Sequence, residues 1–240
     1  MKHPQISVVI LCYRSGEFAR TFYQNMVDVL KKTNLDYEII LVGNHLEGSP
    51  DTTPTVITDI ARSHDLTKTV IKIKPDREHA MGWDMRCGLE ATTGDVVTVI
   101  DGDGQMPPED IPRLYETLTS KHLDMSKARR ITRGDGLYRK SISLIFNTIM
   151  RVLFPGILTT DINGKPKMFT RVAFERLKLE SNDWFIDAEI MIKAARLGLT
   201  IGEIETEFHK NPGRPSFISF NANIEFLKNI IVWRIKEFRN

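Results

Sequence analysis

Residues 96–100, Val-Val-Thr-Val-Ile, constrain this chain more than any other stretch. A continuous β-branched run of this length suits a strand buried on both faces of a parallel sheet. It leads into Asp101-Gly-Asp103-Gly-Gln105-Met-Pro107-Pro108, so carboxylates stand at the strand's carboxyl end, where open α/β sheets place their ligands. If the chain stays extended there, alternation sends Asp101, Asp103 and Gln105 to one side. Gly102 and Gly104 between them leave room for a bulky ligand against the backbone. Two acids and an amide oxygen are hard ligands of the kind that suit Mg2+ or Mn2+. A plain Asp-Gly turn explains the same residues, and the rest of the chain decides between the two.

At 240 residues and 41% hydrophobic, the chain can bury the core of one large α/β domain. Its 33 basic and 31 acidic residues leave a net charge of +2, which argues against a nucleic-acid partner and makes any anion site local. Cys12 and Cys87 lack metal-type spacing and read as small buried residues in a reducing compartment. The N-terminus lacks the apolar core of a signal peptide, and no apolar run reaches the ~20 residues of a spanning helix. A cytoplasmic protein, peripheral at the cytoplasmic face of a membrane, is the expectation.

Strands are expected over Ile6–Cys12, Tyr37–Val42 and Thr69–Ile73. They alternate with helices from Phe18 to Val29, Thr53 to Ser63 and Glu78 to Ala91, which implies a parallel sheet with right-handed crossovers. Past the central motif come a helix from Pro107 to Lys121 and a weak strand from Asp124 to Arg130. A helix from Leu137 to Leu153 follows, apolar on almost every side and so either buried or against something greasy. Lys167–Arg171 reads as a strand, Asp187–Leu197 as a helix, Thr200–Phe208 as a strand, and the tail from Asn223 to Phe238 as a helix with Ile224, Leu227, Ile231, Ile235 and Phe238 on one stripe.

The order of Ser7–Tyr13, Glu38–Val42, Gly82–Asp95 and Asp101-Gly-Asp-Gly-Gln105 resembles the GT-A fold of family 2 glycosyltransferases, and in particular the polyprenyl-phosphate and dolichyl-phosphate sugar transferases. Their central motif reads Asp-x-Asp-x-Gln followed by prolines, matched here by Asp101, Asp103, Gln105, Pro107 and Pro108. Arg130, Arg139, Ser143 and Asn147 match further family positions. Residues 161–169, Asp-Ile-Asn-Gly-Lys-Pro-Lys-Met-Phe, look like a variant Asp-x-Asn-x-Gln-Pro-Lys-x-Phe segment. Two departures stand out: Gly43 and Asn44 replace an acidic pair after the second strand, and Leu11 replaces a proline of the first loop.

The resemblance implies a mostly parallel GT-A (Rossmann-like) sheet flanked by helices, with residues 1–220 as the catalytic domain and 221–240 as an amphipathic C-terminal helix. It implies a nucleotide-sugar donor, contacted by Tyr13, Asn44, Gly82 and Asp101, with Asp101, Asp103 and Gln105 holding Mg2+ or Mn2+. Such a cation would stabilise charge developing on the departing diphosphate. Asp103 and Asp187 are the candidate catalytic residues. Asp187 is a general base if the acceptor is a sugar hydroxyl; a lipid phosphate, already anionic with a second pKa of about 6, needs none. As a bland alternative, Asp187 caps its helix and Glu189 complements the helix dipole. Arg130, Arg139, Ser143, Lys167 and Lys210 are candidate phosphate and acceptor contacts, with Lys165 and Arg214 as further cations. Three functions stay open: transfer to a polyprenyl phosphate at a membrane surface, transfer to a soluble or cell-surface saccharide, and nucleotide binding without turnover. The apolar stripe and basic residues of the tail favour a membrane surface, with a membrane-anchoring partner or a homo-oligomer as the expected protein partners; packing of the helix on the core or on a second subunit is the alternative.

Overall fold

The structure, a computed structural model, describes residues 3–76, 80–133, 136–209 and 228–236; side chains within 132–142 lie outside the description. Its main sheet has seven strands: β1 (Ile6–Leu11), β2 (Tyr37–Val42), β4 (Thr67–Val70), β6 (Val96–Asp101), β7 (Met125–Arg133), β8 (Lys167–Thr170) and β9 (Ile201–Phe208). They lie in the order β4-β2-β1-β6-β8-β7-β9. Two short strands, β3 (His45–Leu46) and β5 (Ile73–Lys74), pair separately, so the single strand expected over Thr69–Ile73 is divided between two sheets.

β1, β2 and β6 are parallel and buried along both faces, as their apolar runs require. Alternate residues divide between two cores. Val9, Ile40, Val97 and Val99 face α3 (Met81–Glu90), α5 (Gly136–Leu153), α6 (Arg171–Leu177) and α7 (Ile186–Arg196). Ile10, Ile39, Leu41 and Ile100 face α1 (Phe18–Leu30), α2 (Thr53–Arg62) and α4 (Asp110–Ser120). Helix α6 lies where sequence periodicity showed nothing: it is too short for an apolar stripe, and its one local signal is Thr170, whose hydroxyl caps it by accepting from the Ala173 amide at 3.2 Å.

The larger difference from the sequence expectation is β8, which is antiparallel to both β6 and β7. After α5, residues 154–166 form no regular helix or strand and return the chain to the carboxyl end of β6, so β8 starts there. The resulting register sets Val99 of β6 opposite Lys167, Lys167 opposite Lys127 of β7, and Lys127 opposite Glu203 of β9. Continuing the β6–β8 register one step along the same face brings Lys165 to Asp101.

Helix α5 is not apolar against protein on every side. Asn147, Met150 and the following Phe154 are buried, whereas Leu144, Ile145 and Val152 are exposed. Residues 228–236 are helical; Ile230 and Trp233 join the core, with the Trp233 ring 5.9 Å from Phe185, while Ile231 and Ile235 of the expected stripe face outward. The remainder of the expected tail helix lies outside the described residues.

Candidate functional site

β6 delivers Asp101 to its carboxyl end and the extended chain stops there. Gly104 has φ +75°, in the left-handed region, and the Asp103 carboxylate turns back to accept from the Gln105 amide at 3.0 Å. The alternation that would align Asp101, Asp103 and Gln105 therefore ends at Asp101. Gln105 is tied instead to the end of β9: its carbonyl accepts from the His209 amide at 2.8 Å, and its side-chain Nε2 donates to the His209 carbonyl at 3.2 Å. Both glycines are also required by the protein's own packing. A Cβ on Gly102 would lie 2.9 Å from the Ile10 side chain, and one on Gly104 would lie 2.7 Å from the Phe18 ring.

Asp101 meets a cation of the chain itself. Lys165 Nζ donates to both of its carboxylate oxygens, at 2.8 and 3.0 Å, lies 2.8 Å from Met81 Sδ, and stands 3.8 Å from Asp187. The lysine side chain is only 3% exposed. Burial works against its charge, but Asp101 and Asp187 outweigh burial and raise its pKa. Beside it, Lys167 donates to Asp187 at 2.5 Å; here burial wins over Asp187, with Lys127 opposing the charge further, and the pKa falls to about 8.

Across the sheet, Lys127 donates to Glu203 at 3.1 Å and to the Asp161 carbonyl at 2.8 Å, and burial likewise lowers its pKa. Asp161 in turn takes a two-pronged Arg130 guanidinium, Nε at 2.8 Å and Nη2 at 2.6 Å, plus the Arg130 backbone amide at 3.0 Å. Burial would raise the Asp161 pKa; the hydrogen bonds and charge of Arg130 reverse that and hold it well below the usual carboxylate range. A fully buried lysine with no anion beside it is strongly disfavoured, which explains why each lysine of this row has a carboxylate as neighbour.

Asp187 is thus a buried member of this cluster rather than a helix cap: Phe185 occupies the cap position of α7. Glu189 does more than complement the helix dipole. It accepts the Glu180 and Ser181 amides, both at 2.8 Å, and pairs with Lys193. Lys167 is wholly buried and Arg130 is paired, so neither presents a bare cation to an acceptor. Ser143 Oγ accepts from Asn147 Nδ2 at 3.2 Å, and Asn147 Oδ1 accepts from the Ile162 amide at 2.9 Å, which ties α5 to the segment carrying Asp161. Arg139 lies on α5 with its side chain outside the described set, and Lys210 and Arg214 lie outside the described residues.

The donor-side residues divide in two. Tyr13 is half-buried, with Lys74 Nζ 4.6 Å from its ring centre. Asn44 is buried and engaged at both ends of its amide, donating to Asp84 at 2.9 Å and accepting from the Lys72 backbone at 2.8 Å, so it holds the β2 corner instead of reaching outward to a base. Asp84 also takes Lys74 Nζ at 2.6 Å. Gly82 is required by packing, since a Cβ there would lie 2.5 Å from the Asp183 carbonyl.

Sequence reading missed Lys127, the Lys74–Asp84 pair and the role of Asp161. The available signal was weak: Lys167 stands beside Met168 and Phe169, whereas Lys127 lies between Ser126 and Ala128 with two arginines beyond.

The residue types at the end of β6 suit a hard divalent cation, but their arrangement does not. Lys165 holds both oxygens of Asp101, Asp103 caps a turn, and the Gln105 amide faces His209. Among the described residues no group of three or more His, Cys, Asp or Glu side chains is placed to hold a metal.

The sequence matches Glycosyl transferase family 2 over residues 7–178. An undecaprenyl-phosphate 4-deoxy-4-formamido-L-arabinose transferase of Pectobacterium atrosepticum is 33% identical over 146 residues, 61% of this chain and 43% of that protein. The transferase of the same name from Proteus mirabilis is 31% identical with the same coverage. The chain thus matches under half the length of these curated relatives. Among solved structures, the glucosyl-3-phosphoglycerate synthase of Mycobacterium tuberculosis in complex with Mn2+ and uridine-diphosphate-glucose superposes with a TM-score of 0.67 at 21% identity, over 96% of this chain and 79% of that one. Its complex with phosphoglyceric acid gives 0.63 at 20% identity, over 88% and 73%. The shared architecture is the GT-A fold.

Proposed function

Because the chain belongs to glycosyl transferase family 2, we propose that it transfers a sugar from a nucleotide-sugar to a polyprenyl phosphate at a membrane surface. The observation that carries this reading is the convergence of the buried Lys165, Lys167 and Asp187 on the partly exposed Asp101 at the carboxyl end of β6. Burying so many charges together is costly to stability and is the kind of arrangement found where charge must be handled.

In this reading an oxygen of the acceptor phosphate attacks the anomeric carbon. The bond from that carbon to the donor's diphosphate breaks, and the diphosphate leaves with the electron pair. Lys165, held by its carboxylates, stands ready to meet the charge that develops there, in a setting with little water to screen it. Asp187 is engaged by Lys167 and orients the two ammonium groups; an acceptor that is already an anion requires no base from it. Tyr13 and Lys74 line the donor side, and Asp101 and Asp103 are where Mg2+ or Mn2+ would meet Lys165 as a rival. In this reading residues 1–220 are the transferring unit, and the described helix of residues 228–236 turns Ile231 and Ile235 outward beside it.

A lipid acceptor is favoured over a saccharide by the outer side of α5 and the loop after it. Leu144, Ile145, Val152 and Leu158 are 65%, 58%, 73% and 90% exposed, a large apolar display for a surface in water. Ile231 and Ile235 add to the exposed apolar residues. No helix among the described residues is long and apolar enough to cross a membrane. The curated relatives above are named as undecaprenyl-phosphate transferases, which fits the same acceptor class.

The test is a panel of nucleotide-sugars incubated with the protein, with polyprenyl phosphate in anionic vesicles, with soluble saccharides, or with neither, following nucleotide release. Release dependent on the lipid phosphate is the expected result. Release dependent on a saccharide would replace the acceptor, and no release with any pair would overturn the reading.

A further inference from the structure

The ammonium of Lys165 sits on Asp101, one of the residues from which the sequence motif leads one to expect a metal ion to be held. It donates to both oxygens of Asp101, and its side chain is 3% exposed. The other expected ligands are engaged too, Asp103 by the Gln105 amide and the Gln105 side chain by the His209 carbonyl. We infer that Lys165 is a built-in counter-ion for Asp101 with which a divalent cation must compete, and that this chain therefore binds such a cation weakly while Lys165 holds Asp101.

The physical basis is charge and geometry together. Mg2+ and Mn2+ are held chiefly by anionic oxygens, and the Asp101–Asp103 pair with Lys165 in place carries one net negative charge rather than two. A dication approaching Asp101 meets a like charge in a poorly screened position. The ammonium cannot easily withdraw into water from so buried a place. The nearest second anion is Asp187, 3.8 Å away and already paired with Lys167 at 2.5 Å. Lys165 can move from Asp101 toward Asp187 over that short distance, but it then adds a second ammonium to one carboxylate. Met81, whose sulfur lies 2.8 Å from Nζ, packs against the same end of the side chain and limits other directions.

The inference needs no sugar transfer for its test, so it can fail while the proposed function stands, and the reverse. Free Mn2+ gives a strong electron paramagnetic resonance signal that is lost on binding. Titrating the intact chain without nucleotide should give a dissociation constant on the order of 1 mM or weaker. Lys165→Gln and Lys165→Met, checked for folding by circular dichroism, should each bind Mn2+ at least ~10-fold more tightly, since an adjacent like charge has been removed. Adding Asp101→Asn to Lys165→Gln should abolish that gain. Equal affinity in the intact chain and the Lys165 variants would overturn the inference, as would a gain that survives Asp101→Asn. Should neither Lys165 variant fold, the intact chain still decides: micromolar binding at one site overturns the inference, and millimolar or weaker binding upholds it.

Discussion

The two halves of the sheet are built on different principles. β1, β2 and β6 bury Val, Ile and Leu on both faces, with polar exceptions in Ser7 and Glu38, which bond each other at 2.6 Å, and in Thr98, which donates to the Lys167 carbonyl at 2.9 Å. β7, β8 and β9 carry across the same sheet a row of buried lysines, Lys127 and Lys167, with Lys165 just beyond, matched to Asp101, Asp161, Asp187 and Glu203. In the first half each side chain adds stability by leaving water, and errors there are graded. In the second half each charge is tolerated only while its partner is present, so errors there are abrupt. On the proposed reading the difference shows a division of labour: the apolar half holds β6 in place, and the charged half surrounds the end of β6 where transfer takes place.

The largest effect that would break this contrast is expected from Lys167→Met. It leaves Asp187 buried with the more distant Lys165, 3.8 Å away, as its counter-charge and should lower stability by ~2–4 kcal/mol in urea unfolding. Adding Asp187→Leu should restore most of that, because an apolar pair can replace a buried ion pair at little cost. A Lys167→Met protein as stable as the original would show that the row is not charge-matched in the way described.

Acid should separate the halves next. Asp161 is held below the usual carboxylate range in the folded chain, so its contribution is complete above the pH where the unfolded carboxyl titrates, about pH 4, and is lost as pH falls further through the folded value. Thermal unfolding midpoints between pH 6 and pH 2.5 should fall more steeply in the original chain than in Arg130→Gln/Asp161→Asn. Parallel curves would deny the pair its role. In the apolar half, Ile40→Val, at a fully buried site, should cost only ~0.5–1.5 kcal/mol with no dependence on pH.

The same contrast explains what could be read from the sequence. The strand of 96–100 and its neighbours were legible because burial on both faces leaves a run of β-branched residues as its trace. Asp101 and Asp187 were legible as acids at element ends. Lys165 and Lys167 were seen only as cations for a phosphate, since lysine usually marks a surface. Their pairing with Asp101 and Asp187 depends on β8 running antiparallel, and that direction comes from the irregular segment 154–166, which has no periodicity to read. The engagement of Asn44, expected as a donor contact, was hidden for a similar reason: its partner Asp84 lies on α3, 40 residues away, and nothing local announces it.

The central claim is that the charged half of the sheet is kept for chemistry and not for stability. Lys167→Met/Asp187→Leu tests it most directly, because the apolar pair should leave a folded protein of near-original stability. Nucleotide release from a turned-over nucleotide-sugar should then fall by ~100-fold or more in this variant, the loss typical of removing a preorganised charge from a catalytic site. Release at the original rate from the stable double variant would contradict the account.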